Sequence, residues 1–580
     1  MKKAKRLMAL LFSLTALGTT FVGCGGREAD VSVDNTKTQL YVKYYNGGLG
    51  SDWINKVIAD FEDLYKDTSF QNGRTGVQII KDFEKSNIQA DLVRKSPNQV
   101  FLLESMNYYE FISKGVMLDI TDLVEDYAVT GPDGKETEKT IEDKISKNRQ
   151  AFYDVGTDGQ STYYALPFYE SSMSLIYNVD LFEEKGWYFA EGCTAEGLTD
   201  EQIANTANVY ELFLISNPEY EDNKELPRSN GPDGKPETYD DGLPATYADF
   251  RALLTMIKGD GTIPFIWNGY DTSYLTSLAT DFWANSSGLD EIELSLNFDG
   301  TSSTLLDLDA NGNLQYEDNG DLKYLPETQI SPSNAYLLHQ QKGKLDAIEL
   351  IKIIAEAGYY EKSFQPGFSH RMAQDTFIKG YEKGLIDQEI AMLVDGSWWN
   401  SEARSDYASD EERMTKRFAT LPLPKASAEL IGEDNVKVSE RGSLMFINKY
   451  CSNEALPVAK AFMSYLQSDA AMNTFSERTD MMRAMDYTLT DETLNNMTYY
   501  GQENYAISRA ENTDWIDWVP MTLTTKRNAT LIDVENWGYN TGAGTKNPFI
   551  YYTTGSTKST APSEYFRQIV NYYKNGWSLK

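Results

Sequence analysis

Apolar residues recur at two different spacings along this 580-residue chain. At 39–45, 77–80 and 100–103 they form short runs rich in β-branched and aromatic residues, which predict strands. From 53 to 65 they fall every three or four residues and predict a helix with one buried face. Strands that alternate with helical segments are typical of βαβ units, so the pattern predicts a mostly parallel sheet flanked by helices.

The same alternation continues beyond a polar insertion at 217–244. Helical spacing recurs at 345–359, 456–467 and 563–574, and strand-like runs lie at 390–394 and 442–447. We therefore expect a second α/β lobe.

The first 24 residues carry an export signal. A basic start at Lys2, Lys3, Lys5 and Arg6 is followed by an uncharged apolar stretch at 7–22 and then by Gly23-Cys24, which is the secretory pattern. The segment 21–24 resembles a bacterial lipoprotein box and implies that Cys24 carries lipid. A plain signal peptide and an anchor helix are the alternatives, but the apolar run is shorter than the ~20 residues of a membrane span.

These features predict a lipoprotein signal peptide at 1–23 and, because 24–38 is polar and aperiodic, a flexible tether. The expected location is the extracellular face of the cell membrane, with the protein anchored by lipid. An acylated protein of this kind suits a Gram-positive surface.

Composition removes several function classes. The formal charge of −34 repels phosphate backbones and argues against nucleic-acid binding. Only two histidines are present, which argues against a His-rich zinc site or a Ser/His/Asp triad. Of the three cysteines, Cys193 and Cys451 are expected to stay unpaired. The 38 Tyr and 10 Trp suit flat, amphipathic ligands, because each ring combines an apolar face with a polar edge.

Four segments in order resemble one family, the extracellular solute-binding proteins (family 1) of carbohydrate ABC transporters, which include maltose- and oligosaccharide-binding proteins. The matching segments are YYALP at 163–167 with SLIYNVDLF at 174–182, ATYADF at 245–250, IAMLVDGSW at 390–398, and the stretch 417–424 with 442–469.

The resemblance implies an α/β fold of the two-lobed type II periplasmic-binding-protein class, in which hinge crossovers join two lobes around a cleft. It places 39–167 with about 443–495 in the N-terminal lobe, and 168–442 with about 496–580 in the C-terminal lobe. It also implies a monomer without a cofactor or enzymatic activity, which captures a carbohydrate, expected to be an oligosaccharide, for a membrane permease.

Sugar rings stack on Tyr or Trp, while Asp, Glu and Asn accept hydrogen bonds from the sugar hydroxyls. Loops at predicted strand ends supply such residues, because ligands of open α/β sheets bind there. Maltose-binding relatives carry their acidic residue at the position of Ser171, which leaves the direction of Glu170 open, and a stacking Trp at the position of Leu103. The predicted ligand contacts are Tyr45, Asn46, Asp52, Glu104, Asn107, Tyr169, Glu170, Trp267, Asn268, Tyr270, Asp271 and Trp398.

A separate pattern lies at 307–318, where Asp307, Asp309, Asn311, Asn313 and Asp318 partly match a calcium loop, with Asp in place of Glu at the twelfth position. Asn311-Gly312 between apolar residues favours a β-hairpin instead. The sequence predicts the hairpin and leaves a structural calcium ion as the alternative.

The rival function is a secreted glycoside hydrolase that uses paired carboxylates. With 87 acidic residues, some pair always satisfies the spacing, so spacing cannot discriminate. The lack of a catalytic motif and the four family segments favour a binding protein.

Overall fold

The computed structural model describes residues 32–84, 88–104, 108–126, 139–157, 159–270, 272–439, 443–517, 537, 547–553 and 557–577. The predicted lipidation site Cys24 and the predicted ligand contacts Asn107 and Asp271 lie outside these residues. Among the described helices, none is both long and apolar enough to cross a membrane.

The described strands, numbered in chain order, are β1 Thr38–Tyr45, β2 Val77–Glu84, β3 Val100–Glu104, β4 Leu166–Pro167, β5 Met173–Asn178, β6 Ile263–Trp267, β7 Gly300–Ser302, β8 Thr328–Ile330, β9 Ile390–Gly396, β10 Phe418–Leu421, β11 Asn435–Ser439, β12 Ser443–Ile447 and β13 Thr513–Asp517.

The described α-helices are α1 Asp52–Leu64, α2 Ala90–Lys95, α3 Tyr108–Ser113, α4 Thr121–Val124, α5 Lys147–Tyr153, α6 Val179–Lys185, α7 Asp200–Ile203, α8 Thr206–Val209, α9 Tyr247–Gly259, α10 Ser273–Ser287, α11 Leu289–Asn297, α12 Lys342–Ala357, α13 His370–Lys379, α14 Trp399–Glu402, α15 Asp410–Thr415, α16 Leu456–Tyr465, α17 Asp469–Thr479, α18 Asp491–Asn496, α19 Tyr499–Ser508, α20 Pro548–Thr553 and α21 Pro562–Gly576. Short 3₁₀ turns lie at Glu142–Lys144, Tyr210–Leu212, Leu214–Ser216, Ala335–Gln340, Ala403–Asp406 and Ala428–Leu430.

The first lobe is built on a five-stranded sheet in the order β2-β1-β3-β12-β4. Its helix α1 forms because apolar residues at helical spacing bury one face, and Trp53, Ile54, Val57 and Phe61 are all shielded from solvent. The core of this lobe also includes residues of α16 and α17, so the chain returns to the first lobe after visiting the second.

The second lobe is built on a four-stranded sheet in the order β10-β5-β9-β6. Its core combines these strands with α9, α10 and α12 and with the C-terminal helices α20 and α21. Two smaller strand pairs, β11 with β13 and β7 with β8, complete the described sheets.

The two larger sheets are mixed and mostly parallel, as predicted, because in each of them every strand but one runs in the same direction. β1 pairs in parallel with β2 and β3, and β6 with β9, but β12 and β5 run antiparallel to each of their neighbours. The reason is topological. β12 enters the first lobe from the second and β5 enters the second from the first, so each crossing strand runs against the βαβ strands of the sheet that it joins.

The crossings lie side by side and are held by hydrogen bonds. Ser443, at the start of β12, donates from Oγ to the carbonyl of Tyr169 at 2.9 Å and accepts from the Tyr169 amide at 3.0 Å. A further bridge joins Tyr169 to Arg483. Both free cysteines, Cys193 and Cys451, are unpaired in the structure, as expected.

The segment around Asp307–Asp318 forms tight β turns, as Asn311-Gly312 indicates. Leu308 bridges Leu314, and Asp309 Oδ1 accepts from the amides of Asn311 and Asn313 at 2.8 and 2.9 Å. Asp307 lies 3.3 Å from the Lys323 ammonium. The described residues contain no cluster of three or more His, Cys, Asp or Glu side chains suited to a metal. Calcium binding by this segment stays the untested alternative to the predicted hairpin.

Candidate ligand-binding cleft

A cleft of about 820 Å³ lies where the two lobes face each other. Its volume falls within the range of small-molecule sites. The first lobe contributes the loop after β1 and the end of β3, and the second contributes the first turn of α10 and the segment after β9. The lining residues are Tyr45, Asn46, Gly47, Gly48, Gly50, Glu104, Ser171, Met173, Ser273, Tyr274, Ser277, His370, Trp398, Ser401, Glu402, Arg404 and Ser405.

Trp398 holds the central position, because its half-buried ring packs against the cores of both lobes. A Cβ on Gly396 would lie 2.2 Å from the indole, so only glycine lets the ring fold over the end of β9. Tyr274 meets Trp398 edge to face, with ring centroids 6.0 Å apart. The neighbouring Trp399 is fully buried. The first of two consecutive tryptophans therefore faces the cleft and the second fills the core.

The loop after β1 forms the first-lobe wall. Tyr45 and Asn46 both line the cleft, as predicted from the sequence. A Cβ on Gly47 would lie 2.1 Å from the Tyr45 ring, and Gly48 adopts a φ of +93°, a conformation that favours glycine. Both glycines are thus needed to bring this backbone against the ring and the opposite lobe.

Glu104 also lines the cleft, at the carboxyl end of β3. The hydroxyl of Tyr169 donates to Glu104 Oε1 at 2.5 Å. Tyr169 itself is buried and does not line the cleft. In place of the predicted direct contact with the ligand, Tyr169 orients the carboxylate of Glu104, which does face the cleft. Tyr169 is also hydrogen-bonded to Ser443 of the crossing strand β12.

The second-lobe wall carries a charged cluster around Glu402. His370 Nε2 lies 3.3 Å from Glu402 Oε1, and the Gln374 amide donates to Glu402 Oε2 at 2.9 Å. The hydrogen bond to Glu402 raises the pKa of His370 above its usual 6.5, although burial opposes the shift. Burial tends to raise the pKa of Glu402, but hydrogen bonding and charge from His370 lower it overall.

Asp395 lies behind this cluster, at the end of β9. Burial, with the nearby charge of Glu402 adding to it, raises the pKa of Asp395 to about 7. Gln374 donates to Asp395 Oδ2 at 2.9 Å, so one buried amide links the two carboxylates. The cluster holds Glu402 in a fixed orientation at the cleft wall.

The loop after β6 does not contribute as predicted. Trp267 is fully buried and packs on Tyr359 and Phe364, with ring centroids 4.8 and 5.9 Å apart. Asn268 is buried, whereas Tyr270 is 64% exposed, and neither lines the cleft. The prediction placed these residues in the cleft because two aromatics and an Asp fall within five residues, outside any helical stripe. Trp267 is instead the last residue of the core strand β6.

Glu170 also points away from the cleft. It is buried and lies 3.0 Å from Arg149 and 3.3 Å from Arg509. Its neighbour Ser171 lines the cleft instead, at the position where maltose-binding relatives carry their acidic residue. Because successive extended residues face opposite sides, only one of the two can reach the cleft. The structure therefore places Glu170 outside the cleft, although the sequence predicted a ligand contact there.

Asp52 lies beside the cleft rather than among its lining residues. Its Oδ2 is 3.8 Å from Nη1 of Arg404, which does line the cleft. Asp52 belongs to α1 of the first lobe and Arg404 to the turn after α14 of the second. Asp52, which the sequence predicted to contact the ligand, thus forms an ion pair between the lobes instead.

Several lining residues were missed in the sequence. Ser401, Glu402 and Ser405 lie at i+3, i+4 and i+7 from the predicted contact Trp398. This spacing lines one helical face and could have found them. Tyr274 and Ser277 share the first turn of α10 by the same rule. His370 gave no such signal, because nothing in its sequence neighbourhood places it next to Glu402.

No protein-family model and no curated protein matches the sequence. Solved structures do match. The solute-binding protein RafE in complex with raffinose has a TM-score of 0.51 and 13% identity, over 92% of this chain and 99% of RafE. RafE is also known in its apo form from Streptococcus pneumoniae. A chitin oligosaccharide binding protein gives 0.51 and 14%, over 93% of this chain and 100% of the other.

A third match is the bacterial solute receptor AcbH, described as preferring β-D-galactopyranose, with a TM-score of 0.50 and 10% identity over 93% and 99% of the two chains. The chain has the solute-binding-protein fold. The predicted two-lobed α/β class is thereby confirmed. At 10–14% identity the likeness establishes the fold, and the ligand class must be argued from the cleft itself.

Proposed function

We propose that this protein captures a carbohydrate, an oligosaccharide by preference, in the cleft between its lobes and delivers it to the permease of an ABC importer. The observation that carries the proposal is the position of Trp398. Its ring lines the cleft, packs on the cores of both lobes and stands beside Tyr274. A sugar ring can stack on such a face while its hydroxyls reach polar groups nearby.

The polar lining of the cleft suits hydroxyl groups. The carboxylates of Glu104 and Glu402 accept hydrogen bonds, and the hydroxyls of Ser171, Ser273, Ser277, Ser401 and Ser405 both donate and accept. Glu104 lies on the first lobe, whereas Glu402 and the serines of α10 and α14 lie on the second. A ligand that contacts both walls stabilises the closed form, because only there does it make both sets of contacts.

A glycan array followed by calorimetry tests carbohydrate binding. We expect one class of oligosaccharide to bind and to be recovered intact, and Trp398→Ala to abolish its binding. Tyr381→Ala is the matched control, because Tyr381 is an aromatic residue of the same lobe that is 52% exposed and does not line the cleft. Cleaved sugar that depends on Glu104 or Glu402 would instead support the hydrolase alternative.

We also propose that lipid on Cys24 anchors the protein at the outer face of the cell membrane. The support is the export pattern at the N-terminus together with a fold shared with solute receptors. A tether keeps the loaded protein at high effective concentration near its permease. Mass spectrometry of the mature N-terminus should find an acylated Cys24, and Cys24→Ser should release the protein into the medium.

A further inference from the structure

Glu402 lines the cleft, although the sequence did not predict it as a ligand contact. Each of its carboxylate oxygens accepts one bond from the second lobe, Oε1 from His370 at 3.3 Å and Oε2 from Gln374 at 2.9 Å. A carboxylate oxygen has room for about two such bonds. Because the side chain lines the cleft and is 19% exposed, the remaining acceptor positions can serve a ligand, and two adjacent oxygens match a pair of neighbouring hydroxyls.

The stem of the same side chain touches the opposite lobe. A Cβ built on Gly48 would lie 3.0 Å from Cβ of Glu402 and 3.4 Å from its Cγ and Cδ. Glu402 is therefore fixed by the second lobe at its carboxylate and packed against the first lobe along its methylenes. A ligand that binds this carboxylate sits where the closing lobes meet.

Charged groups surround His370 from each element that packs on it. Glu402 faces it from α14, Asp395 from β9 and Arg371 from its own helix α13. The Tyr274 ring of α10 stacks on the imidazole, with centroids 5.9 Å apart and planes 13° from parallel. With two carboxylates and one guanidinium nearby, this environment favours the imidazolium form, and the pKa of His370 is raised accordingly.

We propose that Glu402 is the carboxylate of the second lobe that binds the ligand's hydroxyls, that Gln374 positions it, and that its pairing with protonated His370 makes carbohydrate binding depend on pH. This inference rests on the proposed function, since it names a contact and a control of the same cleft.

The direction of the dependence follows from the exclusion of water. Lobe closure around a neutral sugar desolvates Glu402, and a desolvated carboxylate is more stable beside an imidazolium than beside a neutral imidazole. Closure also buries the imidazole, which by itself lowers its pKa, but the carboxylate 3.3 Å away already outweighs the burial of His370. Binding should therefore raise the pKa of His370 further and take up protons. Affinity should be highest below the pKa of His370 and fall as the pH rises through it. Each unit of additional pKa shift corresponds to about a tenfold change in affinity.

The first measurement needs no ligand. The chain has only two histidines, and burial lowers the pKa of His339 well below its usual value. The histidine that titrates by NMR near neutral pH should thus be His370, with a pKa above 6.5 in the wild type and a lower one in Glu402→Gln. Glu382→Gln, a change at a 59% exposed carboxylate of the same lobe, is the control and should leave it unchanged. An unchanged pKa in Glu402→Gln would overturn the proposed pairing.

The second measurement is calorimetry with raffinose, maltotriose, chitotriose and xylotriose, from about pH 5.5 to about pH 8.5, a range that brackets histidine titration. We expect Glu402→Ala to lose at least about tenfold in affinity, the loss of one good contact. His370→Gln keeps a donor for Glu402 but cannot titrate, so its affinity should vary less with pH than that of the wild type. The remaining variation comes from Asp395, whose pKa of about 7 lies in the same range. Gln374→Leu should weaken binding, since Glu402 loses a fixed partner.

The outcomes separate the two proposals. If the wild type binds a sugar and Glu402→Ala binds it equally well, or if the affinity of His370→Gln varies with pH as strongly as that of the wild type, this inference is overturned and the proposed function stands. If the correctly folded wild type binds none of these sugars and no glycan on the array, both are overturned. Circular dichroism of each variant shows that a loss of affinity is not a loss of fold.

Discussion

Asp52 of the first lobe and Arg404 of the second form an ion pair at the mouth of the cleft, with Oδ2 and Nη1 3.8 Å apart. Their side chains are 66% and 40% exposed. Arg404 also approaches Asp410 of its own lobe, at 3.6 Å. The pair joins the two lobes across the cleft. Because solvent screens it, its contribution to closure should be small.

Removing this ion pair should weaken ligand binding only slightly. Exposed pairs contribute about 0.2–1 kcal/mol, so Arg404→Ala should reduce carbohydrate affinity by no more than about fivefold. Calorimetry at low and high salt should show the difference from the wild type shrinking as salt screens the charges. Asp410→Asn removes only the partner within the lobe and is the control. A loss of a hundredfold in Arg404→Ala would show instead that Arg404 contacts the ligand.

A methyl group on Gly48 should oppose closure of the cleft. It would lie 3.0 Å from the Glu402 side chain and would sit on a backbone with a φ of +93°. Gly115 has a comparable φ of +62° with nothing within 4 Å, so Gly115→Ala isolates the backbone strain, about 1–2 kcal/mol. We expect both variants to lose similar stability in denaturation, while only Gly48→Ala loses carbohydrate affinity. Equal affinities would contradict the close contact between the lobes.

Trp267→Ala should destabilise the second lobe without changing the cleft. The ring is fully buried among Tyr359, Phe364 and Phe549, and truncation of such a residue costs about 3–5 kcal/mol. Denaturant unfolding should show this loss, while calorimetry on the folded protein shows near wild-type affinity. Trp398→Ala should give the opposite pattern. Loss of affinity in a stable Trp267→Ala protein would show instead that Trp267 contacts the ligand.

Asp281→Asn should flatten part of the pH dependence of stability. Burial raises the pKa of Asp281 from 3.8 to about 7, so the folded protein keeps a proton that the unfolded chain has released. The free energy of unfolding therefore falls between about pH 4 and about pH 7, by an amount on the order of 2–4 kcal/mol. Asparagine can still accept from the Val438 amide, which Asp281 Oδ1 now does at 3.0 Å.

The measurement is the difference in unfolding free energy between the wild type and Asp281→Asn across this pH range. Taking the difference matters because burial also raises the pKa of Glu349 and Glu503 to about 7, and these groups titrate in both proteins. Lys437, whose charge faces Asp281, does not cancel in this way, because loss of the Asp281 carboxylate lowers the pKa of Lys437 further. A difference that does not vary with pH would contradict a protonated Asp281 in the folded protein.

The linear order of apolar runs was sufficient to predict the α/β class and the principal strands and helices, because periodicity reports which face each element buries. It could not identify the one strand of each sheet that runs against the others. Whether β5 and β12 run with or against their neighbours depends on which lobe the chain comes from, and local sequence carries no record of that.

The sequence by itself determined several of the side chains that line the cleft: a tryptophan after the Gly396 turn, the Tyr45-Asn46 loop and Glu104 at a strand end. Tertiary structure decided which of the other candidates reach it. Glu170 is buried elsewhere because alternation along an extended chain sends neighbouring side chains to opposite sides. Trp267 is buried because it ends a strand of the core, where Ile266 and Asn268 are buried as well. The pairing of His370 with Glu402, and that of Asp52 with Arg404, joins residues distant in the chain, and only the packing of whole elements brings them together.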